Sequence, residues 1–327
     1  NREASEALSK AMLIGASDNA DEVIAVADTG NFEDVLIQAV RSLITAGKNH
    51  EAAEMCRENE KKYPQSTMIK RLKGNAEYAM GEYLKASASF ASAAVLDPGN
   101  AAIWHSKGLA DEKVGDHDSA GDAFIKAIMA DPKKSEYWVS RSSTLERNGD
   151  LRGAVDALNN AIAANPRSTM AMVRKARIFA GMGKPDEALC LLSMAGMADP
   201  GNALVMKAER DVCIKAGMNS RVSELTAELL SAYPADPEAV GPAAEAEITA
   251  GRKDAAFTIV DKGLSIEPDS LALLDIGKKV AYSCNDYALA VRYVEKMAAI
   301  RPDDVEIKKS LADAYARSGD ANAANKM

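Results

Sequence analysis

Eight of the eleven prolines in this chain stand 34 residues apart: Pro64, Pro98, Pro132, Pro166, Pro200, Pro234, Pro268 and Pro302. A fixed period of this length limits what a chain can fold into, because each period is one supersecondary unit that buries its apolar face only against its neighbours. With proline at position 32, the units run 33–66, 67–100, 101–134, 135–168, 169–202, 203–236, 237–270 and 271–304, followed by an incomplete 305–327. Segment 1–32 joins the frame through Gly15, Ala20, Ile24 and Ala27, with a shorter closing loop.

Other positions fall into step. Position 15 reads Gly47, Gly81, Gly115, Gly149, Gly183, Gly217, Gly251, Asn285 and Gly319. A residue that ends a helix in the left-handed conformation is usually Gly and next Asn, so the exception supports the rule. Position 20 is small almost throughout (Ala52, Ala86, Ala120, Ala154, Ala188, Val222, Ala256, Ala290), as expected where a second helix crosses the first at close range. Each unit therefore reads as helix, Gly-centred turn, helix, proline turn, with an Asn or Asp after the proline available to cap the next helix. Trp104 and Trp138 at position 4, and Phe90, Phe124, Leu158 and Leu192 at position 24, read as core.

These residues resemble the tetratricopeptide repeat family, whose pattern is an aromatic at 4, small residues at 8, 20 and 27, an apolar or aromatic residue at 24 and Pro at 32. Unit 101–134 carries it most cleanly, with Trp104, Gly108, Ala120, Phe124, Ala127 and Pro132. Pentatricopeptide arrays, which read RNA, lack this proline and alanine pattern. The resemblance covers essentially the whole chain. It implies an all-α fold, a right-handed superhelical α-solenoid of helix-turn-helix repeats forming one domain over 1–327. First helices would line a concave groove that receives a peptide or a partner's helix. Unit 203–236 departs, with Arg210 at 8, Val222 at 20, Thr226 at 24 and Leu229 at 27. Compensated packing drift is the expectation there, ahead of a functional hinge.

Composition agrees with a modular stack. At 327 residues the chain exceeds the size at which one hydrophobic core stops growing, and hydrophobic residues are 47% while aromatics are 5%, much of the remainder being Ala. A formal charge of -8 argues against a phosphate backbone as the main ligand, so no nucleic acid is expected. Cys56, Cys190, Cys213 and Cys284 are far apart and read as buried free thiols of a reducing compartment. His50, His105 and His117 show no metal-binding spacing, and Asp116 and Asp118 beside His117 read as solvated turn residues. No cofactor, metal site or catalytic motif is expected, and no membrane contact. A cytoplasmic location follows from the thiols and the lack of a signal-peptide pattern, although a chain opening on Asn1 reads as a segment of a longer protein.

The resemblance places positions 2, 5, 9 and 12 of each first helix in the groove. Candidate peptide-binding residues there are Arg41, Arg71, Asn75, Tyr78, His105, Arg177, Lys207, Lys279 and Tyr282, with Val139 and Val173 among the apolar lining. Some family members hold acidic chaperone tails in a clamp of Lys, Asn and Arg. Here Arg71 and Asn75 match its first pair, but Ser106, Glu136 and Ser140 replace the rest, and Glu136 would repel a carboxylate. Asn75 alone would represent a backbone-gripping asparagine ladder. The expected function is thus a non-catalytic scaffold for a protein or peptide ligand. The alternatives are a structural or self-associating module, suggested by a last unit that stops partway through its second helix, and a regulatory arm of a larger multidomain protein.

Overall fold

A computed structural model describes residues 32–324, and among them there is no strand. The helices follow the repeat frame. In the first half they are α1 (Phe32–Thr45), α2 (Asn49–Glu60), α3 (Thr67–Ala79), α4 (Tyr83–Leu96), α5 (Ala101–Val114), α6 (His117–Ala130), α7 (Ser135–Arg147) and α8 (Leu151–Ala164). Next come α9 (Thr169–Gly181), α10 (Pro185–Ala198), α11 (Ala203–Lys215), α12 (Asn219–Ala232), α13 (Pro237–Thr249) and α14 (Lys253–Ile266). The last are α15 (Leu271–Ser283), α16 (Tyr287–Ile300), α17 (Val305–Ser318) and α18 (Ala321–Ala324). The fold class is an all-α solenoid of helix-turn-helix repeats. The described residues pack as two compact units, divided between Lys175 and Ala176. The expected repeat at 1–32 lies outside the described residues.

Position 15 behaves as its chemistry requires. Its glycines have φ between 71° and 91°, and Asn285, with φ 57°, is the one non-glycine of positive φ among the described residues. Behind the proline turns, Asn202 accepts from Leu204 N and Val205 N, Asp236 from Glu238 N, and Asp304 from Glu306 N and Ile307 N. Asn100 does not cap in this way. Its Nδ2 donates to Asp97 Oδ2 across the turn at 2.9 Å. His117 is the first residue of α6 rather than a loop residue, and Asp116 caps that helix by accepting from Ser119 N.

The core is built from positions 3, 20, 24 and 27. Position 3 is buried from Val35 to Ile307, as are Phe90, Phe124, Leu158 and Leu192 at position 24. Trp104 and Trp138 are not core residues. Both are half-buried against it, and each indole N–H donates to the carbonyl of the preceding turn's proline, Pro98 at 2.8 Å and Pro132 at 2.9 Å. A buried indole needs an acceptor for its N–H, and the turn carbonyl supplies one only at the rim of the stack. The thiols also divide: Cys56 and Cys213 are buried, Cys284 is half-buried and Cys190 is exposed. Burial pushes the Cys56 thiol up to about 12, which keeps it protonated and unreactive.

In units 67–100 and 101–134 the crossing inside the hairpin depends on a missing side chain. A Cβ on Gly74 would sit 2.7 Å from Phe90 Cε1, and one on Gly108 would sit 2.5 Å from Phe124 Cε1. In unit 271–304 the same device is displaced by one residue on both helices. Gly277 would meet Tyr293 Cζ at 2.7 Å, while Lys278 takes position 8 and pairs with Asp275 at 2.6 Å.

Two first helices also bury an acid at position 11, where each acid has found donors. Glu77, 2% exposed, accepts from Ser89 Oγ at 2.6 Å. Asp111 accepts from Lys107 Nζ at 2.6 Å, from Ser119 Oγ at 2.8 Å and from Ser87 Oγ. Buried carboxylates persist only with such partners.

The departure at Arg210 is not packing drift. Its side chain is buried, and Nη1 donates to the main-chain carbonyl of Glu238 on α13 at 2.7 Å. Thr226 is buried too and returns its hydroxyl to Val222 O at 2.7 Å.

The Gly108 contact makes a direct test. Gly108→Ala forces a methyl into the Phe124 ring and should destabilise the protein by about 1–3 kcal/mol, the usual cost of overpacking a core. Adding Phe124→Leu should recover part of the loss in urea unfolding.

Candidate protein-interaction site

The outer surface of the first helices carries the candidate residues, and each compact unit has its own set. In the first unit, Arg41 on α1 and Arg71 on α3 both turn toward Met68, with Nη2 to Sδ distances of 3.8 Å and 3.2 Å. Arg41 is exposed, whereas Arg71 is half-buried and its Nε is buried without a partner. Asn75 stands one turn further along α3 and Tyr78 follows, its ring edge-on to Tyr83 at 5.2 Å between centroids. Burial raises the Tyr78 pKa, with Tyr83 and Glu112 adding to the effect. Tyr78 therefore stays a neutral phenol, and Glu112, which itself has a buried oxygen without a partner, faces it electrostatically.

His105 on α5 has other partners. Its Nε2 lies 2.9 Å from Ser140 Oγ on α7, and its ring packs against Phe124 at 5.6 Å and Tyr137 at 4.8 Å. Burial lowers its pKa, a tendency that the charge of Glu136 opposes. Val139 is half-exposed on the same face, while Val173 is fully buried and lines no surface. Position 5 of α9 points into the core, contrary to the expected lining.

In the second unit Arg177 is exposed on α9. Lys207 on α11 is engaged, with Nζ 2.6 Å from Asp236 Oδ2 and 3.0 Å from Glu238 Oε2. Lys279 on α15 is 70% exposed and reaches Asp275 at 2.8 Å. Tyr282 meets Asp313 at 3.4 Å, Arg317 stacks over its ring at 5.1 Å, and burial raises its pKa.

A cleft of about 360 Å³ opens between α13 and α15. Its lining includes Gly241, Pro242, Glu245, Ile248, Ile276 and Lys279, which fall at positions 5, 6, 9 and 12 of their repeats. The cleft exists because α13 offers no side chain at position 5: a Cβ on Gly241 would already lie 3.5 Å from Ile276 Cδ1. Sequence reasoning reached Lys279 of this lining and passed over Gly241, Pro242 and Ile276. A glycine and a proline side by side at groove positions, Gly241 and Pro242, were the available signal.

Among the described residues no cluster of three or more His, Cys, Asp or Glu could hold a metal ion, and no helix is long and apolar enough to cross a membrane.

An open face on stacked two-helix hairpins defines a helical repeat protein of the kind that presents surface to other molecules. Residues 71–136 and 139–203 match the sequence model of the tetratricopeptide repeat, which places that stretch in the tetratricopeptide repeat family. No curated protein matches the sequence. Among solved structures, PilF of Pseudomonas aeruginosa is similar at 14% identity and TM-score 0.53, over 63% of this chain and 94% of that one. A tetratricopeptide repeat protein of Parabacteroides merdae is similar at 16% identity and TM-score 0.51, over 76% and 99%. The human IFIT1 dimer with PPP-AAAA is similar at 15% identity and TM-score 0.51, over 90% of this chain and 70% of that one. At these identities the likeness is one of fold.

His105 gives a pH signature of the site. Its folded-state pKa lies below the unfolded value, so the folded protein binds fewer protons, and stability is full above the unfolded pKa and declines as pH falls through it. Between about pH 7.5 and pH 5, Tm should fall more steeply for the native protein than for His105→Gln, as read by calorimetry.

Proposed function

We propose that this protein is a non-catalytic scaffold that binds an extended segment of a partner protein along the outer face of its first helices. The cleft between α13 and α15 carries the reading. It sets three apolar residues, Pro242, Ile248 and Ile276, beside two charged ones, Glu245 and Lys279. Few well-placed polar groups around an apolar depression are what side-chain recognition requires. The first unit adds Arg41, Arg71, Asn75 and Tyr78, where Arg41 offers an exposed guanidinium and Tyr78 a neutral phenol, suited to main-chain carbonyls or an acidic side chain. Arg177 and Tyr282 extend the candidate surface of the second unit. His105 and Lys207 support neighbouring helices more than they reach for a ligand. Nucleic acid is a poor fit to a chain of net charge -8.

Selection of displayed random peptides on the immobilised chain tests this. Enriched peptides should lose about tenfold or more in affinity on Gly241→Leu, which fills the cleft, or on Arg71→Glu, which reverses the charge on α3. Peptides that bind both variants as tightly as the native chain would remove the first-helix face from consideration.

A second reading, self-association, is favoured by Val95 and Met129. Both stand at position 29 on second helices of the first unit and both are 78% exposed. Isolated exposed apolar residues are common, so the sedimentation coefficient at rising concentration decides between the two.

A further inference from the structure

Pro242 lies inside α13, five residues after its first residue, Pro237. Its nitrogen carries no hydrogen, so the carbonyl four residues earlier, Glu238 O, is deprived of its helical amide donor. That carbonyl accepts from Arg210 Nη1 at 2.7 Å. Arg210 belongs to the preceding repeat, on α11, and stands at position 8, where the units on either side carry Ala176 and Ala244. It is 7% exposed, its Nη2 is 3.8 Å from Asp211 Oδ1, and its Nε has no partner. A buried guanidinium in a small-residue position is a costly substitution unless it does something that no small residue can.

We infer that Arg210 replaces the hydrogen bond that Pro242 removes, and that it is the positioning residue which lets a proline stand in the cleft-lining helix. Lys207, one turn earlier on α11, pairs with the Asp236 and Glu238 side chains, so two cations of one helix hold the first turn of the next repeat's helix. The division of labour is chemical. Lys207 neutralises carboxylates, and Arg210 reaches past them to the main chain. The inference does not depend on the cleft binding a ligand, since it concerns how its α13 wall is held.

A double-mutant cycle in the full chain tests it. Arg210→Met keeps the bulk of the side chain and removes the donor. With Pro242 present, it should shift the folding equilibrium by about ten- to a hundredfold toward unfolding, the range for losing a hydrogen bond from a charged donor. In the Pro242→Ala background residue 242 has its own amide for Glu238 O, and the same change should have a much smaller effect. Carbonyl ¹³C labelling of glutamate gives a local readout. The Glu238 resonance should move on Arg210→Met when Pro242 is present and hardly at all when it is replaced. Equal losses and equal resonance shifts in both backgrounds would overturn the inference. Should Arg210→Met alone be insoluble, a soluble double variant supports the pairing, and insolubility in both backgrounds refutes it.

Discussion

The tightest hairpins of this protein depend on two helix backbones coming close enough that one gives up a side chain where the other places a ring. Gly74 against Phe90 and Gly108 against Phe124 show the contact at its tightest, with hypothetical Cβ atoms at 2.7 Å and 2.5 Å from the rings. A ring seated on bare backbone buries apolar area without a void, and interiors packed at this density respond to the addition of a single methyl. The rest of the repeat serves that contact. Left-handed residues at position 15 return the chain at the right angle, small residues at 20 let the second helix approach, and the proline turn restarts the frame. Unit 271–304 shows that the contact matters more than its numbering. Its glycine and ring, Gly277 and Tyr293, have each moved back by one residue and still meet.

Close packing leaves little room for error in polar groups, and those that are buried are nearly all answered. Asp111 collects a lysine and two serine hydroxyls, and Glu77 takes the hydroxyl of Ser89. Such networks fix one arrangement of neighbouring helices, because any slip strands a charge in a low dielectric. The same reasoning separates the polar surface into residues already committed and residues still open. Lys207 and His105 have their requirements met by Asp236, Glu238 and Ser140, while Arg71 retains a buried nitrogen that nothing in its surroundings satisfies.

Much of the fold was legible because its signals are local. A proline, a positive φ and a small residue each act within a turn or two of where they stand, and Asn285 in place of glycine could be read as meeting the same backbone demand. The misreadings arose where the outcome depends on what lies a repeat away. Trp104 and Trp138 sit at the rim because their N–H groups need a carbonyl from the preceding turn. For His105, a groove candidate, no spacing names the contacts that hold its ring, Ser140, Phe124 and Tyr137. Arg210 looked like drift because its acceptor is 28 residues further on, and nothing in the spacing names a main-chain carbonyl. Of the candidate surface, the charged and aromatic members were visible, Lys279 of the cleft among them. The α13 wall at Gly241 and Pro242 was not, since it consists of what α13 lacks.

In a repeated structure the positions that keep the period carry the architecture, and recognition has to come from those that break it. At position 5 the period is loose: Arg71, His105, Val139, Val173, Lys207, Gly241 and Asp275 hold one place in successive hairpins and range from cation through valine and glycine to acid. Gly241 is the extreme case, and Pro242 beside it removes a backbone donor as well. The two absences act together. One opens space beside Ile276, and the other creates a debt in α13 that a buried arginine of the previous repeat answers. A chain that needed only another structural hairpin would have no use for a glycine, a proline and a distant arginine to make one, since alanine at all three positions would satisfy the frame more simply. The proposed binding role accounts for that cost, since it attaches to the surface they create rather than to the core they share.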